Sequence, residues 1–291
     1  MYVVEFIYIS TMGNTSKNLI LHLLHFIALH QTFMAKYRTQ KVGQENIRYL
    51  HKGRGNPLVF LHGFGGRPSY YLSLLNLLSE NFEIIAPEVY GINYLKQQPI
   101  SINEYAELTL GFCSSLGVDH HCMVGHSMGG AVAFRIGNNV SDHFYLIGIN
   151  PVLPVDYGLL GFTARATYKS IRESLGITGG LRAILLGNTV PIPAILNLLR
   201  NMGASIDAVS DICNLTYQNM NVTQPTLILY GEKDEFFILD EGITRQIKDS
   251  FDRVTIKRLS KLNHDWLIFY PELAAQEISN FCSSGYCTSC K

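Results

Sequence analysis

The tract Gly125-His126-Ser127-Met128-Gly129-Gly130 has the spelling G-x-S-x-G, in which a serine sits on a sharp strand-to-helix turn with its hydroxyl clear of the backbone. Glycine is needed two residues to either side because a side chain there would collide with the chain. An alcohol is a weak nucleophile at its own pKa and requires a neighbouring base. Of the ten histidines, only His143 and His264 follow Ser127. His143 precedes an interior apolar run, which puts it at the end of that run away from the elbow. His264, in Leu262-Asn263-His264-Asp265-Trp266, follows the last run and is the candidate base. A carboxylate must then hold the imidazole tautomer and stabilise the imidazolium. Asp234, in Gly231-Glu232-Lys233-Asp234-Glu235, is the leading candidate, with Glu232, Glu235, Asp240 and Asp265 as rivals. His62-Gly63-Phe64-Gly65-Gly66 supplies a glycine-rich loop whose amides can turn toward a substrate oxygen. The expected oxyanion donors are the backbone N–H groups of Phe64 and of Met128, the residue after the nucleophile. His62 reads as structural. The loop has neither phosphate-binding spelling, G-x-x-x-x-G-K-[ST] or G-x-G-x-x-G.

These tracts need elements to present them. Runs of strand-forming residues at 38–42 and 47–51 predict two leading antiparallel strands. Continuous apolar runs follow at 58–61, 84–86, 122–124, 145–149, 226–230 and 254–259. They alternate with helical patterns at 69–79, 102–116, 129–139, 239–247 and 271–281. Apolar strands alternating with helices predict a mostly parallel sheet covered on both faces, with ligands outside the carboxyl ends of its strands. Each candidate tract falls just after such a run. One stretch breaks the alternation: 151–224 has helical patterns at 162–175, 181–186, 195–202 and 206–219 and no strand-like run. It predicts a helical cap over the carboxyl edge. The expected organisation is an extension over 1–33, a core over 34–150 and 225–282, the cap over 151–224, and a flexible cysteine-containing tail over 283–291.

The segments HGFGG, GHSMGG, GEKD and NHDW, in that order over 37–281, resemble the α/β-hydrolase superfamily, in particular its cap-bearing esterase, lipase and C–C hydrolase-like branch. The resemblance implies an α/β-hydrolase fold: an eight-stranded, mostly parallel sheet flanked by helices, with a helical cap between the sixth and seventh strands. Serine at the elbow, where aspartate would stand, separates the chain from the dehalogenase and epoxide-hydrolase branches. Pro87-Glu88-Val89-Tyr90-Gly91 replaces the acidic, two-glycine turn common after the fourth strand, and Asn263 replaces a glycine common before the histidine.

The expected activity is therefore a serine hydrolase cleaving a carboxylic ester or similar acyl compound through Ser127, His264 and Asp234, with no cofactor and no metal. The same triad would also serve an acyltransferase, a C–C bond hydrolase or a lyase, and a non-catalytic binding protein is the reading from another class. The segment 151–220 is rich in Leu, Ile, Ala and Gly, so an apolar acyl substrate is expected. With 23 basic and 23 acidic residues and 16% charged residues, the chain lacks the basic excess of a nucleic-acid partner. Leu19 to Leu29, LILHLLHFIAL, is too short and too polar for a span of about 20 apolar residues. The extension is read as a weak targeting segment or as sequence preceding a true start at Met34, with peripheral membrane association through 19–29 the third reading. Six cysteines are too few for a disulfide scaffold, and a reducing, cytoplasmic setting is expected. Cys282, Cys287 and Cys290 contain one C-x-x-C, short of the four ligands of a zinc site.

Overall fold

The computed structural model describes residues 36–64, 66–89, 101–118, 121–140, 144–154, 212–217 and 219–286, with isolated positions 158, 161, 164, 165 and 210. The chain divides into two compact units, Met1–Met34 and Ala35–Lys291, and the first lies outside the described residues. So do most of the expected cap, Cys287 and Cys290.

Eight strands form one sheet: β1 (Lys36–Val42), β2 (Glu45–Lys52), β3 (Asn56–Leu61), β4 (Phe82–Pro87), β5 (His121–His126), β6 (Phe144–Ile149), β7 (Thr226–Lys233) and β8 (Val254–Asn263). Their spatial order is β1-β2-β4-β3-β5-β6-β7-β8. β1 pairs antiparallel with β2 and β2 with β4, and all later neighbours are parallel. The expected mostly parallel sheet is what forms, because its central runs are apolar at every position. In β3, Val59 and Leu61 join one core with Phe112, Ala131 and Phe134. Leu58 and Phe60 are also buried, and Phe60 stacks on Tyr71 at 4.8 Å between ring centroids.

The described helices are α1 (Leu72–Leu78), α2 (Ile102–Ser115), α3 (Met128–Asn139), α4 (Glu241–Ser250), the short α5 (Trp266–Phe269) and α6 (Pro271–Tyr286). α2 packs on α3, and α1 on α6. Three boundaries differ from expectation for local reasons. Pro68–Tyr71 is a 3-10 turn leading into α1, since proline fixes the first turn but supplies no amide. Asp240 caps α4 by accepting from the Ile243 amide at 2.7 Å, which starts that helix two residues late. α6 continues to Tyr286, into the expected tail, and carries Cys282 to a buried contact with Cys122 of β5, Sγ to Sγ 2.7 Å.

Both ends of the expected cap lie in the core. Val152 and Leu153 are buried, as are Ile212, Leu215, Tyr217, Met220 and Val222. Tyr217 donates its hydroxyl proton to the Val152 carbonyl, and Ser250 Oγ donates to the Tyr217 carbonyl at 2.6 Å. Among the described residues no helix is long and apolar enough to cross a membrane.

Candidate active site

Ser127 stands between β5 and α3 at φ 53°, ψ −119°. That backbone region costs an L-residue about 1–3 kcal/mol and persists only where the surroundings enforce it. They do so here through tight packing. A Cβ added to Gly125 would lie 2.1 Å from the Gly129 carbonyl oxygen, and one added to Gly129 would lie 2.2 Å from that of Leu61. The glycines of G-x-S-x-G are thus imposed by backbone crowding. The Ser127 amide donates to the Ile149 carbonyl at 3.0 Å, and its own carbonyl accepts from Val152 at 3.1 Å. The turn is pinned to the end of β6.

The structure brings Asp234 and His264 together from the ends of β7 and β8. His264 Nδ1 lies 2.8 Å from Asp234 Oδ2. A carboxylate can only accept, so Nδ1 carries the proton and Nε2 keeps its lone pair, as a base requires. Asp234 is buried, and its carboxylate is fully engaged. Oδ1 accepts from the amides of Phe236 at 2.8 Å and Phe237 at 3.1 Å, while Oδ2 also accepts from Asn150 Nδ2 at 2.6 Å. Burial alone would push the carboxyl up, yet the adjacent His264 and the amide donors outweigh it and hold Asp234 below its ordinary value.

The rival carboxylates are engaged elsewhere. Glu232 accepts from Ser260 Oγ at 2.9 Å, Glu235 from the His264 amide at 3.3 Å, and Asp240 caps α4. Asp265 Oδ1 is 3.9 Å from His126 Nε2.

The glycine-rich loop after β3 lies against the elbow. A Cβ on Gly63 would come within 3.2 Å of Ser127 Cβ. Phe64 is half-buried on the adjoining turn, and Gly65 lies outside the described residues. Met128 is the first residue of α3, where an amide has no carbonyl one turn back to bond. Of the two expected oxyanion donors, Met128 follows Ser127 directly and Phe64 follows Gly63, whose backbone abuts the elbow. His62 is buried with Nδ1 2.8 Å from the Gly63 carbonyl, and burial pushes it down to about 4, partly offset by that bond.

Three polar residues at the site were not singled out by motif. Tyr71 accepts from the Gly63 amide at 3.2 Å and donates to His126 Nδ1 at 2.8 Å, and His126 Nε2 donates to the His264 carbonyl at 3.1 Å. The carbonyl can only accept, which fixes the His126 tautomer. The chain of bonds ties the loop after β3 to the loop after β8. The third residue is Asn150, directly after β6. His126, His264 and Asp265 present metal-ligand atoms within 4.8 Å of one another. Both His126 nitrogens and His264 Nδ1 are already hydrogen-bonded, so the donor set does not suit a cation.

Around the imidazole the walls are aromatic. Its ring centroid lies 4.8 Å from Phe236, 5.7 Å from Phe237 and 4.9 Å from His126. The imidazole is thus held by a buried carboxylate on one side and faces aromatic rings on the other.

Comparison with known proteins agrees with this architecture. Residues 58–277 match the Alpha/beta hydrolase family. The dihydrolipoyllysine-residue acetyltransferase component of the acetoin cleaving system of Cupriavidus necator is 28% identical over 127 residues, 43% of this chain, and the chain spans only 33% of that protein. The 2-hydroxy-6-oxo-6-phenylhexa-2,4-dienoate hydrolase of Comamonas testosteroni is 23% identical over 260 residues, covering 80% of this chain and 85% of that one. Among solved structures, a serine hydrolase from the polyaromatic-hydrocarbon-degrading bacterium Cycloclasticus zankles superposes with a TM-score of 0.68 at 18% identity, over 88% of this chain and 100% of that chain.

Proposed function

The chain belongs to the alpha/beta hydrolase family, and from that membership we propose that it is a serine hydrolase acting on a carboxylic ester or similar acyl compound with an apolar acyl or aromatic group. The observation that carries this reading is the buried Asp234–His264 pair, 2.8 Å apart, with His126, the residue before the strained Ser127, 4.9 Å from the His264 ring. Ser127 Oγ attacks the carbonyl carbon as His264 Nε2 takes its proton. The amides of Phe64 and Met128 receive the charge on the carbonyl oxygen, and Asp234 stabilises the imidazolium. His264 returns the proton to the leaving group. Water, deprotonated by the same nitrogen, then releases the acyl group from Ser127. Phe236 and Phe237, packed around His264, support an apolar substrate.

A fluorophosphonate probe should label Ser127, and Ser127→Ala or His264→Ala should reduce p-nitrophenyl ester hydrolysis to background. Unchanged turnover in a clean Ser127→Ala preparation overturns the reading. C–C bond hydrolysis is the second reading, favoured by the likeness to the Comamonas hydrolase over most of both chains. Product analysis on a vinylogous diketone, with an ester panel beside it, separates the two.

A further inference from the structure

Asn150 directly follows β6, its backbone at φ 41°, and it is wholly buried. Its side-chain carbonyl Oδ1 accepts twice, from the Gly231 amide at 3.0 Å and from Trp266 Nε1 at 3.0 Å. Both of those groups can only donate. The amide orientation is therefore fixed, and Nδ2 must face outward from that pair, where it meets Asp234 Oδ2 at 2.6 Å. One side chain thus gathers the end of β6, the acid-bearing loop after β7 and the residue that begins α5 behind His264.

We propose that Asn150 is a positioning residue for the catalytic pair, its Nδ2–H holding Asp234 Oδ2 in the orientation that receives His264 Nδ1–H. This rests on the serine-hydrolase reading and deepens it. The physical need is clear from the carboxylate's surroundings. Oδ1 is fixed by two backbone amides, but without Asn150 the imidazole would be the sole donor to Oδ2 among the described residues, and its charge changes through the reaction. A buried oxygen held by that one donor alone would leave the carboxylate's orientation under-determined. The titratable groups facing this cluster are Tyr230, Asp234 and Glu235 from β7 and its loop, His264 and Asp265 from the loop after β8, and His126 from β5.

Two variants test it. Asn150→Gly tolerates the positive φ and deletes all three contacts. kcat should fall about 10- to 100-fold, the worth of one hydrogen bond to a charged group, with KM changed less than threefold. Asn150→Asp keeps the shape and both bonds accepted at Oδ1, but sets a second carboxyl against Asp234 at a separation where like charge strongly raises the pKa of one of the two. The pair then retains one proton, and only that protonated form donates to Oδ2. Relative to the native enzyme, kcat/KM of Asn150→Asp should therefore be highest near pH 6 and fall by about tenfold toward pH 8 as the shared proton is lost. A ratio independent of pH would mean that the group facing Oδ2 has no bearing on turnover. A constant ratio, or Asn150→Gly within twofold of native kcat at full fluorophosphonate titration of Ser127, overturns the proposal while leaving the triad standing. Asp234→Asn with native activity, or a fluorophosphonate adduct on another residue, overturns the parent reading instead.

Discussion

Asp234 carries the heaviest electrostatic duty of any single side chain at the site. Its four acceptor positions are filled by two backbone amides, one carboxamide and one imidazole. Replacing it by asparagine keeps the volume but turns one acceptor into a donor. The new NH2 would oppose either Asn150 Nδ2–H or His264 Nδ1–H, and the imidazole would swing or adopt the wrong tautomer. Asp234→Asn should lose about 10³- to 10⁴-fold in kcat with the fold intact, read by steady-state ester hydrolysis beside circular dichroism. A loss under tenfold would mean that another carboxylate serves His264. From sequence, Asp234 stood among five acidic candidates because each lay in or near a polar loop. Only the distance to Nδ1 separates them, and distance between residues so far apart in the chain is not written in local spelling. Asn150 was missed for a related reason. The rule that points to strand carboxyl ends covers it, but asparagine before Pro151 also reads as a plain turn.

At the level of elements, the elbow is a strand, a turn and a helix packed so closely that two positions exclude any side chain. This part was legible in the sequence, since the spacing of glycines around Ser127 is itself the record of the crowding. Gly129→Ala should be among the most damaging single substitutions in the chain. Its Cβ would sit 2.2 Å from the Leu61 carbonyl oxygen, on backbone of β3 that cannot yield without disturbing the centre of the sheet. A loss above about 4 kcal/mol is expected, seen as insoluble protein or a large fall in the urea midpoint. A near-native midpoint would show that α3 slides freely on β5. What spelling did not reveal was the traffic between loops. Tyr71 belongs to a 3-10 turn that reads as ordinary amphipathic helix, and His126 occupies the unspecified x of the motif. Their bonds to Gly63 and to the His264 carbonyl exist only because β3, β5 and β8 deliver their loops to one edge.

Across the whole molecule the sheet is the organising unit, and its burial on both faces governs how the fold responds to acid. His62 titrates near 6.5 when unfolded and at about 4 in the folded protein, because burial outweighs its bond to Gly63. Below about pH 6.5 the unfolded chain takes up a proton that the native chain refuses. Stability is fully present above that pH and is lost as pH falls toward 4, by about 3 kcal/mol. Asp234, whose carboxyl is held low in the fold, adds a further loss only at still lower pH. Urea unfolding at pH 7 and pH 4.5 should show the decline, and His62→Gln should flatten it. An equal decline in that variant would assign the acid sensitivity to other groups. The order of the sheet also has a consequence in the time of synthesis. β5 and the strained serine are made well before β7 and β8, which bring the acid and the base, and β7 and β8 dock in turn on the far side of β6. On the proposed reading, a half-made chain therefore carries its serine without the acid and base that would activate it, and the site is complete only when β8 has docked.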